Sequence, residues 1–419
     1  MKILMATTEY PPAALGGSAE SVRLTAEALT ARGHHVSVVT PQWEHAPGPE
    51  YECRSWVDIT RFPMLRGSLW RWGAEWEVSN PIFWRQAARK IRARAERISA
   101  DVIHAQDRRM ILPVRLATHS PRGAKRGTAI RSTLTLRDIG LLCPIATCLV
   151  IERPGGVIPE NCGALRLWSD CAPLYARQYQ SSRNLGAEWG PRAKLVTRYA
   201  LLAMERRSVR HFSRLAYVSH GLAAHHRKVL PGDYSILYSP VAPVTPHEHK
   251  RARNPSIVLY VGKPSLGKGW DDFVAAAGLV TGFGQSRSVR FVHLGPKPIV
   301  TNAWIDSLGA LPAWHVELWR CQSAVCVVPS RQADALPRAA LEAGAHGIVT
   351  VGTNVGGIPE ALAGQGILAP AGSPKDLALA IQAGLGSPIG QGEILRQAVM
   401  KRFAPDVVAA AHEAVYAMN

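Results

Sequence analysis

At 419 residues the chain is too long for one ordinary hydrophobic core, so two domains of roughly 200 residues each are expected. Its 47% hydrophobic content, with 36 Gly and 30 Pro, fits a turn-rich globular protein and excludes extensive disorder. The net charge of +18 is uneven: residues 1–240 hold 34 Lys and Arg against 19 Asp and Glu, a field that favours nucleic acid, an anionic membrane surface or phosphorylated substrates.

Met1-Lys2-Ile3-Leu4-Met5-Ala6 has the pattern of a buried strand with no signal peptide ahead of it. The first strand is expected at Lys2–Thr7, followed by a loop with Pro11-Pro12 and Gly16-Gly17. Ser18–Ala31 then has helical spacing, Gly33 stops it, and Val36–Thr40 is the next strand. This βαβ unit implies a parallel, doubly wound sheet. Ile59–Phe62, Val102–His104, Ala129–Leu136 and Leu215–Ser219 have strand character, and Ile82–Ser99 and Val196–Phe212 have helical character. The uncharged run Ile139–Ile151 is too short for a bilayer, which takes about 20 residues. A cytoplasmic, non-integral protein is therefore expected.

Pro231, Pro240, Pro243, Pro246 and Pro255 mark residues 230–256 as a linker. A second alternation follows, with strands at Ile257–Val261, Val289–Leu294, Ala324–Pro329 and Ile348–Val351. Helices are expected at Lys268–Ala277, Pro374–Ala383 and Pro405–Met418. Two Rossmann-like halves place a ligand in the cleft between them, at the carboxyl ends of strands.

Three loops of the second half carry the chemistry. In Gly262-Lys263-Pro264-Ser265-Leu266-Gly267-Lys268-Gly269, two lysines five apart can clamp a diphosphate; the Walker A order is absent. Asp334 and Glu342 lie eight residues apart, about 2.2 helical turns, and can face different hydroxyls of one polyhydroxylated ligand. Gly356-Gly357, ahead of Glu360, reads as a helix start whose backbone N–H groups suit an anion. Together they point to a sugar nucleotide.

In order and spacing the set resembles family-4 glycosyltransferases of the two-Rossmann GT-B fold, in the glycogen-synthase/phosphorylase-like superfamily. The matching segments are Gly262-Lys263…Lys268-Gly269, Pro329-Ser330…Asp334-Ala335-Leu336-Pro337…Leu341-Glu342-Ala343 and Gly356-Gly357-Ile358-Pro359-Glu360. The first half adds Pro11-Pro12…Gly16-Gly17, Arg32-Gly33-His34, Thr135-Leu136-Arg137-Asp138 and Leu237-Tyr238-Ser239-Pro240. The resemblance implies an acceptor-side domain over 1–240, a donor domain over 241–400, and a C-terminal helix within 401–419 crossing back to the first domain.

The resemblance also implies roles. Lys263 and Lys268 neutralise the donor diphosphate, Glu342 accepts from ribose hydroxyls, and Asp334 faces the transferred sugar. Ala335 and Leu336 offer backbone amides, while Gly16 and Gly17 lie across the cleft beside donor and acceptor. Arg137 and Asp138 stand where the family carries a His-Asp pair, and they complete the candidate catalytic group with Asp334. The family usually has Glu at position 334 and Arg at position 263. The implied reaction transfers sugar from a nucleoside-diphosphate sugar, such as a UDP- or GDP-sugar, with retention of configuration. Its acceptor is a glycan, a lipid-linked saccharide or a small molecule, as in cell-surface polysaccharide synthesis. No cofactor is called for, and no Asp-x-Asp metal motif occurs. Two alternatives on the same fold are a non-catalytic nucleotide or partner binder and a sugar-nucleotide epimerase.

Two further features stand apart. Residues 66–98 interleave Trp70, Trp72, Trp76 and Trp84 with eight Lys and Arg, a pattern suited either to an anionic membrane face or to an ordinary helix with solvated arginines. A peripheral position at the inner membrane face follows from the former. No nucleic-acid-binding motif accompanies the charge. Cys143, Cys148, Cys162 and Cys171 cluster at spacings looser than a C-x2-C knuckle, so they read as reduced structural thiols or as a small metal site.

Overall fold

The computed structural model of the protein describes residues 1–13, 16–44, 48–64, 77–118, 130–148, 162–179, 189–227, 229–244, 254–282, 288–298 and 302–418. Two sheets organise it. The first contains β1 (Lys2–Ala6), β2 (His35–Gln42), β3 (Tyr51–Arg54), β4 (Val57–Pro63), β5 (Val102–Ala105), β6 (Arg131–Leu136), β7 (Arg214–Tyr217) and β8 (Ser235–Ile236). Their order is β3-β4-β2-β1-β5-β6-β7-β8, parallel throughout except for the antiparallel β3–β4 edge pair.

The second sheet contains β9 (Asn254–Val261), β10 (Arg290–Leu294), β11 (Ile305–Gly309), β12 (Ser323–Val328), β13 (Val349–Thr353) and β14 (Ile367–Ala369). Its order is β11-β10-β9-β12-β13-β14, parallel throughout. The fold is α/β, with two Rossmann-like domains. Helices cover both faces of each sheet, and the central strands accordingly read as unbroken apolar runs. Ile3, Leu4, Met5 and Ala6 of β1 are wholly buried.

In each sheet the chain reverses its direction of travel beside the first strand, between β1 and β5 and between β9 and β12. Such switch points open a crevice at the carboxyl ends of the strands. The two crevices face each other. One hydrophobic cluster runs through the joint, uniting Val218 and Leu222 of the first domain with Leu336, Ala340 and Ile358 of the second.

The last helix, Pro405–Ala417, lies on the first domain. Its Ala409 and Tyr416 join Ile3, Val22 and Ala26 in one cluster, and Glu413 pairs with Arg32 at 2.7 Å and with His34 at 2.7 Å. Arg131 donates to the Tyr416 carbonyl at 2.7 Å.

Some elements carry no sequence signal. The edge strand β3 is mostly exposed and lacks apolar alternation, and the Ala313–Gln322 helix has no side-chain cap at its start. The helix expected from Val196 begins at Trp189.

The Pro81–Ile98 helix packs its apolar face on the first domain, as in the ordinary-helix alternative, and keeps Arg85 and Arg89 exposed. Phe83, Trp84, Ala87 and Ile91 are buried against the sheet, while Arg94 pairs with Asp58 at 2.8 Å and Arg92 donates to Ala117 O and Leu116 O. Trp70, Trp72 and Trp76 lie outside the described residues. Among the described residues no helix is long and apolar enough to cross a membrane.

The cysteines are free thiols. Burial pushes Cys143 up to about 11 and Cys171 up to about 12, so both are inert hydrophobic groups at neutral pH. Among the described residues no three His, Cys, Asp or Glu side chains are placed to hold a metal ion.

Candidate functional site

A cavity of about 230 Å³ lies between the two domains. Gly17, Arg137, Lys268, Asp334, Ala335 and Leu336, all expected from the sequence, line it together with Ser18, Ser21, Val218, Ser239, Pro337 and Arg338. The lining comes from both halves: the start of the Gly17–Ala31 helix and the loops after β6, β7 and β8 on one side, and the loops after β9 and β12 on the other.

Lys268 follows β9 on a single 3-10 turn, Leu266–Lys268, which ends at Gly269 with φ +71°. A Cβ at Gly269 would sit 1.8 Å from the Pro329 carbonyl oxygen, so only glycine lets this loop lie against the loop after β12. That packing brings the Lys268 Nζ to 2.5 Å from Asp334 Oδ1, while the Ser330 hydroxyl donates to Asp334 Oδ2 at 2.7 Å. Lys263, on the same loop, is exposed and does not line the cavity.

Glu342 projects from the Arg338–Ala345 helix but is set back from the cavity. Arg338, one turn earlier, holds its Oε1 through Nε at 2.9 Å and Nη2 at 2.7 Å, and Arg320 holds Oε2. Arg320 is 5% exposed and also pairs with Glu317 at 2.6 Å. Arg338 reaches the other domain too, donating to Ser21 Oγ and Pro240 O, both at 3.2 Å. A Cβ at Gly17 would meet Arg338 Cδ at 2.6 Å. Gly17 thus serves the close approach of a second-domain arginine, and Gly16 ahead of it is the extended N-cap residue, with open space around it.

Gly356 and Gly357 take a different part from the one expected. The Gly357 N–H donates to Asp334 O at 2.7 Å and is therefore engaged, and the helix that follows, Ile358–Ala361, is only four residues long. These glycines permit close packing. A Cβ at Gly357 would lie 1.9 Å from Ala335 O, and one at Gly356 would lie 2.3 Å from Asp334 O. They fix the backbone of the Asp334–Ala335 loop, and the Gly357 amide is spent on that contact.

Arg137 points from the end of β6 into the cavity and is held on three atoms. Nε donates to Gln106 O at 3.0 Å, Nη1 to Ser239 Oγ at 2.9 Å and Nη2 to Gln106 Oε1 at 2.6 Å. Burial pulls the guanidinium down to about 10, which leaves it charged at neutral pH, and Asp107 opposes the shift. Behind it, His104 bridges Tyr416 OH at 2.6 Å and Thr135 Oγ1 at 2.7 Å. Burial holds His104 well below the usual histidine range, so it is neutral. Asp138 turns away from the cavity: its Oδ1 accepts from the Gly140 N–H at 2.7 Å and caps a turn.

Sequence reasoning missed Arg338, Arg320 and the part played by Glu360. The i,i+4 spacing of Arg338 and Glu342 was a usable signal. Arg320 comes from a separate helix and gave none. Glu360 crosses to the first domain, where its Oε1 accepts the Gly221 N–H at 2.7 Å, and its Oε2 accepts the His220 N–H at 2.9 Å and the Tyr238 hydroxyl at 3.1 Å.

The family described as Glycosyltransferase Family 4 matches residues 15–133, and that described as Glycosyl transferases group 1 matches residues 255–386. The two matches fall on the two sheets that face the cavity. The chain belongs to the GT-B glycosyltransferases. No curated protein sequence matches this glycosyltransferase. Solved structures share its fold from end to end. Sucrose-phosphate synthase from Thermosynechococcus elongatus is 19% identical, with a TM-score of 0.67, covering 99% of this chain and 98% of its own. The catalytic domain of starch synthase IV from Arabidopsis thaliana, bound to ADP and acarbose, is 12% identical, with a TM-score of 0.64 and coverage of 99% and 98%. HepE of Anabaena, in complex with UDP and glucose, is 14% identical, with a TM-score of 0.62 and full coverage of both chains.

Proposed function

We propose that this glycosyltransferase uses a nucleoside-diphosphate sugar and transfers the sugar, with retention, to a hydroxyl of a glycan, lipid-linked or small-molecule acceptor. The observation that carries the reading is the meeting of Lys268 and Asp334 with Arg137 and Gly17 around one interdomain cavity. UDP and ADP complexes of structures with the same fold support a nucleotide donor.

The residues divide the work as follows. Breaking the bond from the anomeric carbon to the diphosphate leaves its electron pair on the departing phosphate oxygen. Lys268, with the Ala335 and Leu336 backbone amides, stabilises that developing charge. Donor binding draws Lys268 from Asp334, and the freed carboxylate then accepts from hydroxyls of the transferred sugar. Both lone pairs of Glu342 Oε1 are taken by Arg338, and the one left on Oε2 beside Arg320 accepts from a ribose hydroxyl. The acceptor oxygen bonds to the anomeric carbon on the face the diphosphate leaves, and its proton passes to the departing phosphate. Lys263, exposed at the loop's edge, adds positive charge to the approach.

Arg137 favours a second reading, a protein that binds nucleotide without transfer, because a charged guanidinium cannot serve as a base. Incubation with UDP-, GDP- and ADP-sugars separates the readings. Thermal stabilisation by one nucleotide class, together with release of nucleoside diphosphate that rises on adding acceptor, is the expected result. Stabilisation without any release would establish the binder, and stabilisation by none of the three would overturn the donor assignment.

A further inference from the structure

A larger cavity, about 580 Å³, lies at the opposite end of the first sheet from the cleft, where β7 and β8 begin. It is formed by the end of the Trp189–Val209 helix, the segment into β7, residues 229–235 and Met418 after the last helix. Its volume lies in the range of small-molecule sites, about 300–1,000 Å³.

The wall is amphipathic. Phe212, Leu230 and Tyr234 supply apolar surface, and the Tyr234 ring stands edge-on to Tyr217 at 5.3 Å, which fixes it against the sheet. Among the described residues four arginines line the cavity, against the single carboxylate of Asp233. Arg206 is already committed, donating to Leu141 O at 2.7 Å and lying over the Tyr199 ring. Arg207 and Arg210 are exposed, and among the described residues neither has an ion-pair or hydrogen-bond partner. Two such guanidiniums, Arg207 and Arg210, at the rim of an apolar hollow suit planar two-point recognition of a phosphate.

We propose that this cavity binds a phosphate ester with an apolar body, the phosphate on Arg207 and Arg210 and the apolar portion against Phe212 and Tyr234. The ester is either a membrane lipid headgroup or a soluble phosphorylated metabolite. The site is separate from the donor cleft and does not rest on the donor assignment.

Dihexanoyl phosphatidic acid, below its micellar concentration, serves as the soluble probe by calorimetry and thermal shift. Sedimentation with vesicles containing 30% phosphatidylglycerol, against neutral vesicles, serves as the membrane arm. Full-length protein is compared with Arg207→Ala/Arg210→Ala, with Arg85→Ala/Arg89→Ala as an equal charge loss on another exposed helix face, and with Arg137→Ala in the cleft. Binding of the soluble probe that weakens at least tenfold only in Arg207→Ala/Arg210→Ala supports the site. Vesicle sedimentation lost in the same variant assigns the source to a lipid, and its absence alongside soluble binding assigns a metabolite. Equal losses in both double variants would reduce the effect to general charge and overturn the proposal. Loss in Arg137→Ala, or no binding of either probe, would overturn it as well.

Discussion

Glu360 of the second domain accepts the backbone N–H of Gly221 of the first at 2.7 Å, so a single carboxylate caps a helix across the cleft. The same carboxylate takes the His220 N–H and the Tyr238 hydroxyl. Beside it, Ser219 donates to Ala335 O, and Thr147 pairs with Gln332. These bonds form a seam along one side of a cavity of about 230 Å³, smaller than typical ligand pockets of about 300–1,000 Å³.

Glu360→Ala removes three acceptor bonds from that seam. Hydrogen bonds to a charged group are worth about 1.5–3 kcal/mol each when buried, less where solvent reaches them, as at His220. The expected result is a loss of about 2 kcal/mol of coupling between domains, read as urea unfolding that separates into two transitions. A single transition at the wild-type midpoint would show that the seam carries no coupling.

Gly221→Ala tests the same contact by shape. Within the His220–His226 helix, alanine is favoured over glycine by about 1 kcal/mol on propensity alone. A Cβ at Gly221, however, would lie 2.1 Å from Gly356 O. Overpacking of this kind costs about 1–3 kcal/mol. The variant is expected to be less stable than wild type despite its better helix former, with raised KM for the donor; a gain in stability would mean that the two domains give way freely here.

Much of this was legible in the chain. Lys2–Thr7, Ser18–Ala31 and Pro374–Ala383 were placed to within a residue or two of Lys2–Ala6, Gly17–Ala31 and Pro374–Leu385, because apolar period and terminal glycine or proline agree there. The loops with Lys268 and Asp334 were legible because chemistry and spacing coincide. Two things were not. Arg320 reaches Glu342 from a helix 22 residues earlier, and no local pattern reports a tertiary ion pair. Nor does Gly356-Gly357 declare whether its glycines free an amide or admit a backbone. The same two letters serve both, and only the 1.9 Å gap to Ala335 O decides.

Glu342→Gln keeps shape and removes charge. Arg320, nearly buried, loses one of its two carboxylates, and uncompensated buried charge is destabilising. The thermal midpoint is expected to fall, and nucleoside-diphosphate affinity to drop about tenfold through weaker acceptance from ribose, which is about 1.4 kcal/mol. If the midpoint falls while affinity holds within twofold, Glu342 is an anchor for Arg320 and not a ligand-binding group.

Stability should fall in mild acid. Burial holds His104 well below its ordinary value of about 6.5 and depresses His226 and His412 to about 4. Between pH 6.5 and 4 the unfolded chain binds protons that the folded chain refuses, so the stabilisation is complete above about pH 6.5 and is lost as pH falls toward 4. For His226 and His412 the depression corresponds to roughly 3 kcal/mol each over that interval, and His104 adds in the same direction. Urea midpoints measured from pH 8 to pH 4.5 should decline below pH 6.5, and His412→Gln should decline less steeply. Equal slopes would place the acid sensitivity elsewhere.

Arg137 decides between an enzyme and a binder. Its three hydrogen bonds to Gln106 and Ser239 fix the guanidinium plane at the cavity wall, opposite Lys268 and Asp334. A purely structural arginine would lose stability on replacement but leave turnover per folded molecule unchanged. A guanidinium that orients an acceptor or steadies the leaving group would act through its planar fork, which lysine cannot reproduce although it keeps the charge. Arg137→Lys is therefore expected to lower kcat/KM by about ten- to a hundredfold, the equivalent of about 1.4–2.7 kcal/mol. Nucleotide affinity should stay within twofold, because the proposed diphosphate partner, Lys268, stands on the other wall. Unchanged kcat/KM together with a lower thermal midpoint would return Arg137 to the scaffold. Loss of nucleotide affinity in equal measure would move it to the donor side of the cleft.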